Sequence, residues 1–329
     1  MAALNILLVR VSSLGDVLHN LPMVADILRA HPDAQIDWVV EEGYVSLVRL
    51  NPQVRKIIPF ALRRWRKSLG KRETRAEIKA FFKTLREQQY DYVFDTQGLL
   101  KTGIIMGAAR VKPGGSKVGL ANGSEGSGYE GISRLFHTRS IPLDPRTHAV
   151  ARGRLVAAAA LGYSADHAPD FGLPGPETGN RPDWMPREAY AVFFHGTARD
   201  AKKWAPDNWV AAGLALAPMP VLLAWGSPGE KAEAEALAAC LPNARVLPKL
   251  SMDAAVTLAR NAALAIGVDT GLTHIAAAFL VPTVELYCDS PKWKTEGNWS
   301  AAIINLGDKG APPSAPEAIA AARRLLGQV

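Results

Sequence analysis

The sequence predicts an α/β protein built from two doubly wound parallel sheets, and three observations predict it. Short apolar runs without polar alternation, such as Asn5–Val11 and Leu264–Val268, are what a parallel sheet covered on both faces requires. Helical patterns separate those runs, which implies right-handed β–α–β units in an open sheet. The alternation stops from Gly162 to Pro186, a stretch dense in Pro and Gly that reads as a linker, and then restarts. At 329 residues the chain is too long for one ordinary core. Domains are therefore expected at 1–165 and 188–312, with a linker at 166–187. A last helix lies within 313–329; in folds of this kind it can pack back on the first domain, although its pattern alone does not show that.

In the first half, strands are expected at Asn5–Val11, Gln35–Glu41, Val54–Pro59, Tyr90–Asp95 and Arg139–Leu143. Helices are expected between them at Leu21–Ala30, Tyr44–Leu50, Glu73–Gln89, Leu99–Arg110 and Thr147–Leu161. In the second half the expected strands are Ala191–His195, Val221–Trp225, Ala244–Leu247, Leu264–Val268, Thr283–Tyr287 and Ala302–Leu306. Their helices fall at Pro206–Ala217, Pro228–Leu241, Met252–Ala262, Thr270–Phe279 and Ala315–Leu326. Ligands of such sheets bind beyond the carboxyl ends of the strands. Two sheets facing each other would place a cleft between the domains.

Hydrophobic content of 48% and charged content of 21% are those of a globular protein rather than a disordered one. The two cysteines, Cys240 and Cys288, cannot form a disulfide framework, and both are expected as buried thiols. The first residues lack the pattern of a signal peptide, and no window reaches the ~18 apolar residues of a spanning helix. A cytoplasmic protein, or one touching a membrane from that side, is expected. The net charge of +7 suggests an anionic partner without choosing among nucleic acid, phospholipid and a phosphorylated small molecule.

Three loops after expected strands carry unusual polar residues. The first is Ser12-Ser13-Leu14-Gly15-Asp16; it lacks G-x-G-x-x-G, so no dinucleotide site is indicated. Asp16 reads either as a helix N-cap or as a general base that takes a proton from an attacking hydroxyl. The second, His195 to Trp204, combines Thr197, Gly196, Arg199, Lys202 and Lys203 and reads either as a diphosphate clamp or as a solvated basic loop. The third is Asp269-Thr270-Gly271, where an apolar strand meets a helix rich in small residues. Free N–H groups of a first helical turn, a glycine that admits close approach, and Thr270 and His274 four residues apart suit a phosphate. The plainer reading makes Asp269 an N-cap. An aspartic-protease reading of D-T-G fails because no second such loop exists. A charge run from Arg63 to Arg75 holds seven cations against Glu73 alone. It reads as a solvated face, or, with Trp65 inside it, as contact with a membrane interface, a ligand or single-stranded nucleic acid.

Beyond these readings the sequence resembles the heptosyltransferases of lipopolysaccharide inner-core assembly, glycosyltransferase family 9. The resemblance covers nearly the whole chain. It rests on V-R-V-S-S-L-G-D-V-L-H-N-L-P (9–22), D-W-V-V-E-E-G (37–43), A-L-R-R-W-R-K (61–67) and D-T-Q-G-L-L-K (95–101). It continues through H-G-T-x-R-D-x-K-x-W (195–204), W-G-S-P-x-E (225–230), V-L-P-K-L-S (246–251) and V-D-T-G-L-T-H-I-A-A-A (268–278). The R-R-W-R-K run and the threonine of the last motif resemble the first-step enzymes more than the second-step ones.

The resemblance implies a GT-B fold of two Rossmann-like doubly wound domains, acceptor half first and ADP-sugar half second, facing an inter-domain cleft, with no required metal or other cofactor. It implies inverting transfer of L-glycero-D-manno-heptose from ADP-heptose to a 3-deoxy-octulosonate (Kdo) sugar of Kdo2-lipid A, by an enzyme peripheral on the anionic inner membrane and not bound to nucleic acid. By resemblance Asp16 is the base, and Lys202 with Thr197, Thr270 and Gly271 holds the diphosphate. Asp269 and His274 line the sugar or ribose. Trp225, Gly226, Glu230 and the backbone near Leu250 hold the nucleoside. Ser13, Gly15, Gln97, Arg63, Arg64, Arg66 and Lys67 meet the acceptor. Two departures stand out: Thr197-Ala198 replaces a Thr-Thr pair, and the Gly-rich stretch 111–131 matches weakly. The alternatives are a second-step heptosyltransferase or another nucleotide-sugar GT-B transferase, and, outside enzymes, a basic nucleotide- or nucleic-acid-binding protein, whose binding would fall steeply with salt.

Overall fold

The computed structural model describes residues 3–175 and 182–328; residues 176–181 of the expected linker lie outside the described residues. The chain divides into two compact units, Met1–Gly172 and Leu173–Val329. In the first, β1 (Asn5–Val9) leads to α1 (Leu14–His19) and α2 (Pro22–Ala30). β2 (Gln35–Glu41), α3 (Val45–Arg49) and β3 (Val54–Phe60) follow, then α4 (Leu62–Trp65) and α5 (Arg72–Leu85). β4 (Gln89–Asp95), α6 (Leu100–Ala108), β5 (Arg110–Leu120), β6 (Arg139–Ile141) and α7 (Ala149–Leu161) complete it. All strands pair in parallel, in the order β3-β2-β1-β4-β5-β6.

The second unit repeats the plan. β7 (Ala191–Phe194), α8 (Pro206–Ala215), β8 (Val221–Leu223), α9 (Pro228–Ala239) and β9 (Ala244–Val246) build one side. α10 (Met252–Arg260), β10 (Leu264–Val268), α11 (Gly271–Ala278), β11 (Thr283–Tyr287), β12 (Ile303–Gly307) and α12 (Ala315–Leu325) build the other. The parallel order is β12-β11-β10-β7-β8-β9. Strands β7, β10 and β11 are buried along their whole length, which is why they carry no polar alternation.

The structure corrects the sequence reading at several elements. Short helix α1 lies where a loop is read, and α4 opens the basic run; each has too few residues to show a period. β5 was not expected at all, because Pro113, Gly114 and Gly115 interrupt it. The interruption is real: the β4–β5 register shifts between Tyr90 and Tyr92. α12 packs on α8 and on β10–β12 of the second unit, its Ala318 and Ala322 in that unit's core. Cys288 is buried as expected, but Cys240, at the end of α9, is exposed.

Indoles fix two segments that the site depends on. Trp38 is fully buried and donates to the carbonyl of Arg10 at 3.0 Å, pinning the chain just past β1. Trp204 packs edge-on against Trp209, centroids 5.1 Å apart, and donates to the Pro313 carbonyl at 2.7 Å. Removing a buried indole costs about 3–5 kcal/mol, so each clamps its loop firmly.

Candidate active site

Strand order reverses once in each sheet, between β1 and β4 in the first and between β7 and β10 in the second. At such switch points adjacent connections depart to opposite faces and leave a crevice beyond the carboxyl ends of the strands. Many of the residues singled out from the sequence lie on the loops and helix starts at these two places.

At the first switch point, Arg10 and Asp16 form an ion pair, Nη2 to Oδ1 at 2.7 Å. The Ser13 N–H and hydroxyl donate to the other carboxylate oxygen at 3.0 and 2.8 Å. Asp16 is thus the third residue of α1 in a capping box with Ser13, not the N-cap. Burial works against its charge, but Arg10 and the Ser13 bonds outweigh that and hold the carboxyl well below the usual carboxylate range. The side chain is still 37% exposed, so an ionised carboxylate is presented at the surface of this crevice. Gly15 lies on the same turn.

The β4 loop supports that arrangement. Gln97 accepts from the Val11 N–H at 3.0 Å and donates to the Ser12 hydroxyl at 3.2 Å, and the Lys101 ammonium donates to the same hydroxyl at 3.0 Å. Arg10 also donates to the Thr96 carbonyl. The fully buried Asp95 accepts from the Gln97 and Gly98 N–H groups and the Thr102 hydroxyl, which fixes the loop; burial raises its pKa. Gly98, at φ +69°, has the Tyr129 ring where a Cβ would stand, so only glycine serves there. Arg152 on α7 is 7% exposed and has one Nη without a partner. Burial and then repulsion from Arg10 lower its pKa, against the pull of Asp16.

The basic run divides by function. Arg64 pairs with Glu42 (Nη2 to Oε2, 3.1 Å) and Glu77 (Nη1 to Oε2, 2.7 Å), its side chain remaining 50% exposed. Trp65 is buried between Phe60 and Phe81 and donates to Glu77 at 2.8 Å, so it is neither a membrane anchor nor a stacking platform. The Arg63 guanidinium lies 5.5 Å from the Tyr44 ring centroid, and Arg66 and Lys67 are exposed.

At the second switch point the polar groups form one buried chain. Lys202 Nζ lies 2.5 Å from Asp269 Oδ2. Asp269 Oδ1 meets His274 Nε2 at 3.0 Å and accepts from the Thr295 hydroxyl at 3.1 Å. His274 Nδ1 meets Glu285 Oε1 at 2.9 Å, and Glu285 Oε2 accepts from the Tyr287 hydroxyl at 2.8 Å and the Gly297 N–H at 3.0 Å. Burial disfavours an imidazolium at His274, but the two carboxylates outweigh it and push the pKa up to about 10. The Asp269 carboxyl goes the other way: against burial, His274 and Lys202 hold it far below its ordinary value. Two cations and two anions therefore sit in line, in balance.

This changes several sequence-derived roles. His274 is 3% exposed and held between Glu285 and Asp269, so it orients Asp269. Asp269 is not the N-cap, which is Thr270, and its carboxylate is spent on Lys202, His274 and Thr295. Thr270 makes no side-chain cap bond, so its hydroxyl and the first N–H groups of α11 are not committed to each other. The cations of the β7 loop do not form a free cluster: Lys203 binds Glu233 and Asp200, and Arg199 lies near Asp289. Only Lys202 joins the switch-point chain.

The neighbouring loops meet at the same sheet edge. Thr197 is half-buried on the β7 loop. Glu230 accepts from the Gly226 and Ser227 N–H groups at 2.6 and 3.1 Å as the acid of a capping box. One of its oxygens is thereby occupied, which leaves less of it for a nucleoside than expected. A Cβ on Gly196 would stand 2.7 Å from the Glu230 carboxyl carbon, so the glycine lets the β7 loop lie against α9. Trp225 donates to the Leu247 carbonyl at 2.7 Å and so joins the loops after β8 and β9, with Leu250 just before α10. Among the described residues no group of three or more His, Cys, Asp or Glu could hold a metal ion.

Residues 78–317 match the family model of glycosyltransferase family 9 (heptosyltransferase). The chain belongs to glycosyltransferase family 9. Lipopolysaccharide heptosyltransferase 1 of Pseudomonas aeruginosa is 39% identical to it over 307 residues, 92% of this chain and 84% of that protein. The protein of the same name from Escherichia coli K12 is 35% identical over 290 residues, 86% of this chain and 88% of its own. The solved structure of E. coli heptosyltransferase WaaC with ADP superposes with a TM-score of 0.83 at 31% identity, covering 98% of this chain and 99% of that one. The WaaC structure with ADP-2-deoxy-2-fluoro heptose gives 0.77 at 32% identity over the same shares. The GT-B fold class expected from the sequence is thus borne out, as is the heptosyltransferase assignment.

Within this family 9 chain, Arg10, Lys101, Arg152, Glu285, Tyr287 and Thr295 were not foreseen as part of the two constellations. One signal was available. Glu285 is an acid in the middle of TVELY, a strand otherwise built for a core, and such a residue needs a buried partner.

Proposed function

We propose that this enzyme transfers L-glycero-D-manno-heptose from ADP-heptose to a Kdo sugar of Kdo2-lipid A, with inversion, at the cytoplasmic face of the inner membrane. The observation that carries the reading is the second switch point: Lys202 held by Asp269 beside the uncommitted helix start at Thr270 and Gly271, in a chain like one solved with ADP. A helix start and a fixed ammonium receive the charge that grows on a departing diphosphate. Among the described residues no helix is long and apolar enough to cross a membrane, so attachment would be peripheral, through exposed cations such as Arg66 and Lys67.

The reaction divides between the two constellations. The acceptor hydroxyl attacks the anomeric carbon, a new C–O bond forms, and the bond from that carbon to the β-phosphate oxygen breaks with its electron pair staying on ADP. The hydroxyl proton passes to the Asp16 carboxylate. Arg10 and Ser13 keep Asp16 ionised and aimed, at the cost of basicity, so the proton moves only as the new bond drains charge from the attacking oxygen. Lys202, Thr197 and the α11 N–H groups hold the diphosphate, and His274 with Glu285 keeps Asp269, and through it Lys202, in position.

The test is direct. Purified protein mixed with ADP-heptose and Kdo2-lipid A is expected to yield heptose-extended acceptor and free ADP in equal amounts. Exclusive use of another nucleotide sugar, or of an already heptosylated acceptor, would refute it.

A further inference from the structure

The first unit carries an apolar groove that the transfer chemistry leaves unexplained. It encloses about 540 Å³ between the segment after β3, helix α5 and the outer face of α6. That is within the ~300–1,000 Å³ typical of ligand sites. Its lining includes Leu69, Phe82, Leu100 and Ile104, with Arg66, Lys101 and the acid Glu130. Leu69, Leu100 and Ile104 are 54%, 39% and 44% exposed. Leu100 and Ile104 are four residues apart, so α6 turns an apolar stripe outward while Thr102, Ile105 and Met106 already serve the core. Folding does not require that stripe, and grouped apolar side chains left in water mark a binding surface.

We propose that this groove receives a fatty-acyl chain of the glycolipid acceptor itself, with Arg66 and Lys101 meeting the anionic groups where chain joins sugar. The inference rests on the acceptor reading above and adds where the lipid part lies. Two observations select this occupant. The groove pairs an apolar lining with two cations, Arg66 and Lys101, against one acid, Glu130, whose carboxylate accepts from the Leu100 N–H, and that net positive lining complements an anionic amphiphile. Lys101 also donates to the Ser12 hydroxyl, next to the Ser13 that holds Asp16, so the groove is joined through one side chain to the base that would act on the sugar.

The experiment measures transfer from ADP-heptose to two acceptors, intact Kdo2-lipid A and its fully deacylated form with the same sugars and phosphates. The proteins compared are wild type, Ile104→Glu and Leu69→Glu. Both positions are solvent-accessible, so the fold tolerates the new charge. Each variant is expected to raise KM for the intact acceptor on the order of ten-fold, the loss of about two buried methylenes. KM and kcat for the deacylated acceptor should stay at the wild-type values. Equal changes on both acceptors, or no change on either, would overturn the groove assignment while leaving the transferase reading intact. Failure of the wild-type protein on both acceptors would remove the transferase reading and this inference with it. In a parallel arm, sedimentation with phosphatidylglycerol vesicles lacking acceptor should be the same for all three proteins. Loss of vesicle binding in the variants would assign the groove to bulk membrane lipid and contradict the proposal.

Discussion

The two switch points share a topology and differ in how they handle charge. At the second, Lys202, Asp269, His274 and Glu285 alternate in sign, are largely buried and satisfy one another. At the first, the part-exposed Asp16 carboxylate pairs with Arg10, the buried Arg152 keeps one Nη without a partner, and Lys101 donates to the neighbouring Ser12. A balanced buried chain is rigid, because breaking any link strands a charge in low dielectric. At the first site a part-exposed carboxylate and an Arg152 Nη without a partner are left over for a ligand. On the proposed reading, one site holds a fixed ammonium beside a helix start, and the other keeps Asp16 ionised beside Arg10 to act on an anionic acceptor.

The strongest way to break the comparison is to remove the base. Asp16→Asn keeps the size of the side chain and should lower kcat by about 10²–10⁴-fold; turnover near the wild-type rate would sink the assignment. Lys202→Met should follow, with kcat down by about 10²–10³-fold and a higher KM for ADP-heptose in steady-state kinetics. An unchanged rate at saturating donor would remove Lys202 from leaving-group stabilisation.

Stability should answer more to the second site than to the first. His274→Ala leaves Asp269 and Glu285 without the cation between them, and the loss should be about 3–5 kcal/mol, or on the order of 10 °C in Tm. A Tm within a degree or so of wild type would show that the chain is not the rigid element described. The pH dependence sharpens this. The folded-state pKa of His274 is raised to about 10 from an ordinary 6.5, so its contribution is complete below that ordinary value and is lost as pH rises through 10. Thermal melts should therefore show wild type losing stability toward alkaline pH, with a flatter profile for His274→Gln over the same range. The smallest contrast lies in the basic run. Arg66→Ala should raise acceptor KM several-fold, whereas Arg64→Ala, whose guanidinium is already held by Glu42 and Glu77, should leave it unchanged.

Much of the fold is legible in the sequence, for identifiable reasons. The bounds expected for β10 and β11 coincide with those observed, because wholly buried parallel strands are uninterrupted apolar runs. β5 is illegible because Pro113 and two glycines sit at a register shift rather than at its end. Site positions are legible as far as topology reaches. Asp16, Lys202, Thr270 and Gly271 stand at strand ends, where ligands of such sheets bind. What one side chain does to another is not legible there. Nothing local marks Arg64 as spent on Glu42 and Glu77, or His274 as turned inward onto Glu285, because those partners come from other elements.

The division of labour between the switch points can be tested most directly by calorimetric titration of ADP into wild type, Asp16→Asn and Lys202→Met. The account predicts wild-type affinity for Asp16→Asn and an affinity reduced about ten-fold or more for Lys202→Met, the loss of one charge-assisted contact. Equal weakening in both variants, or none in Lys202→Met, would contradict it.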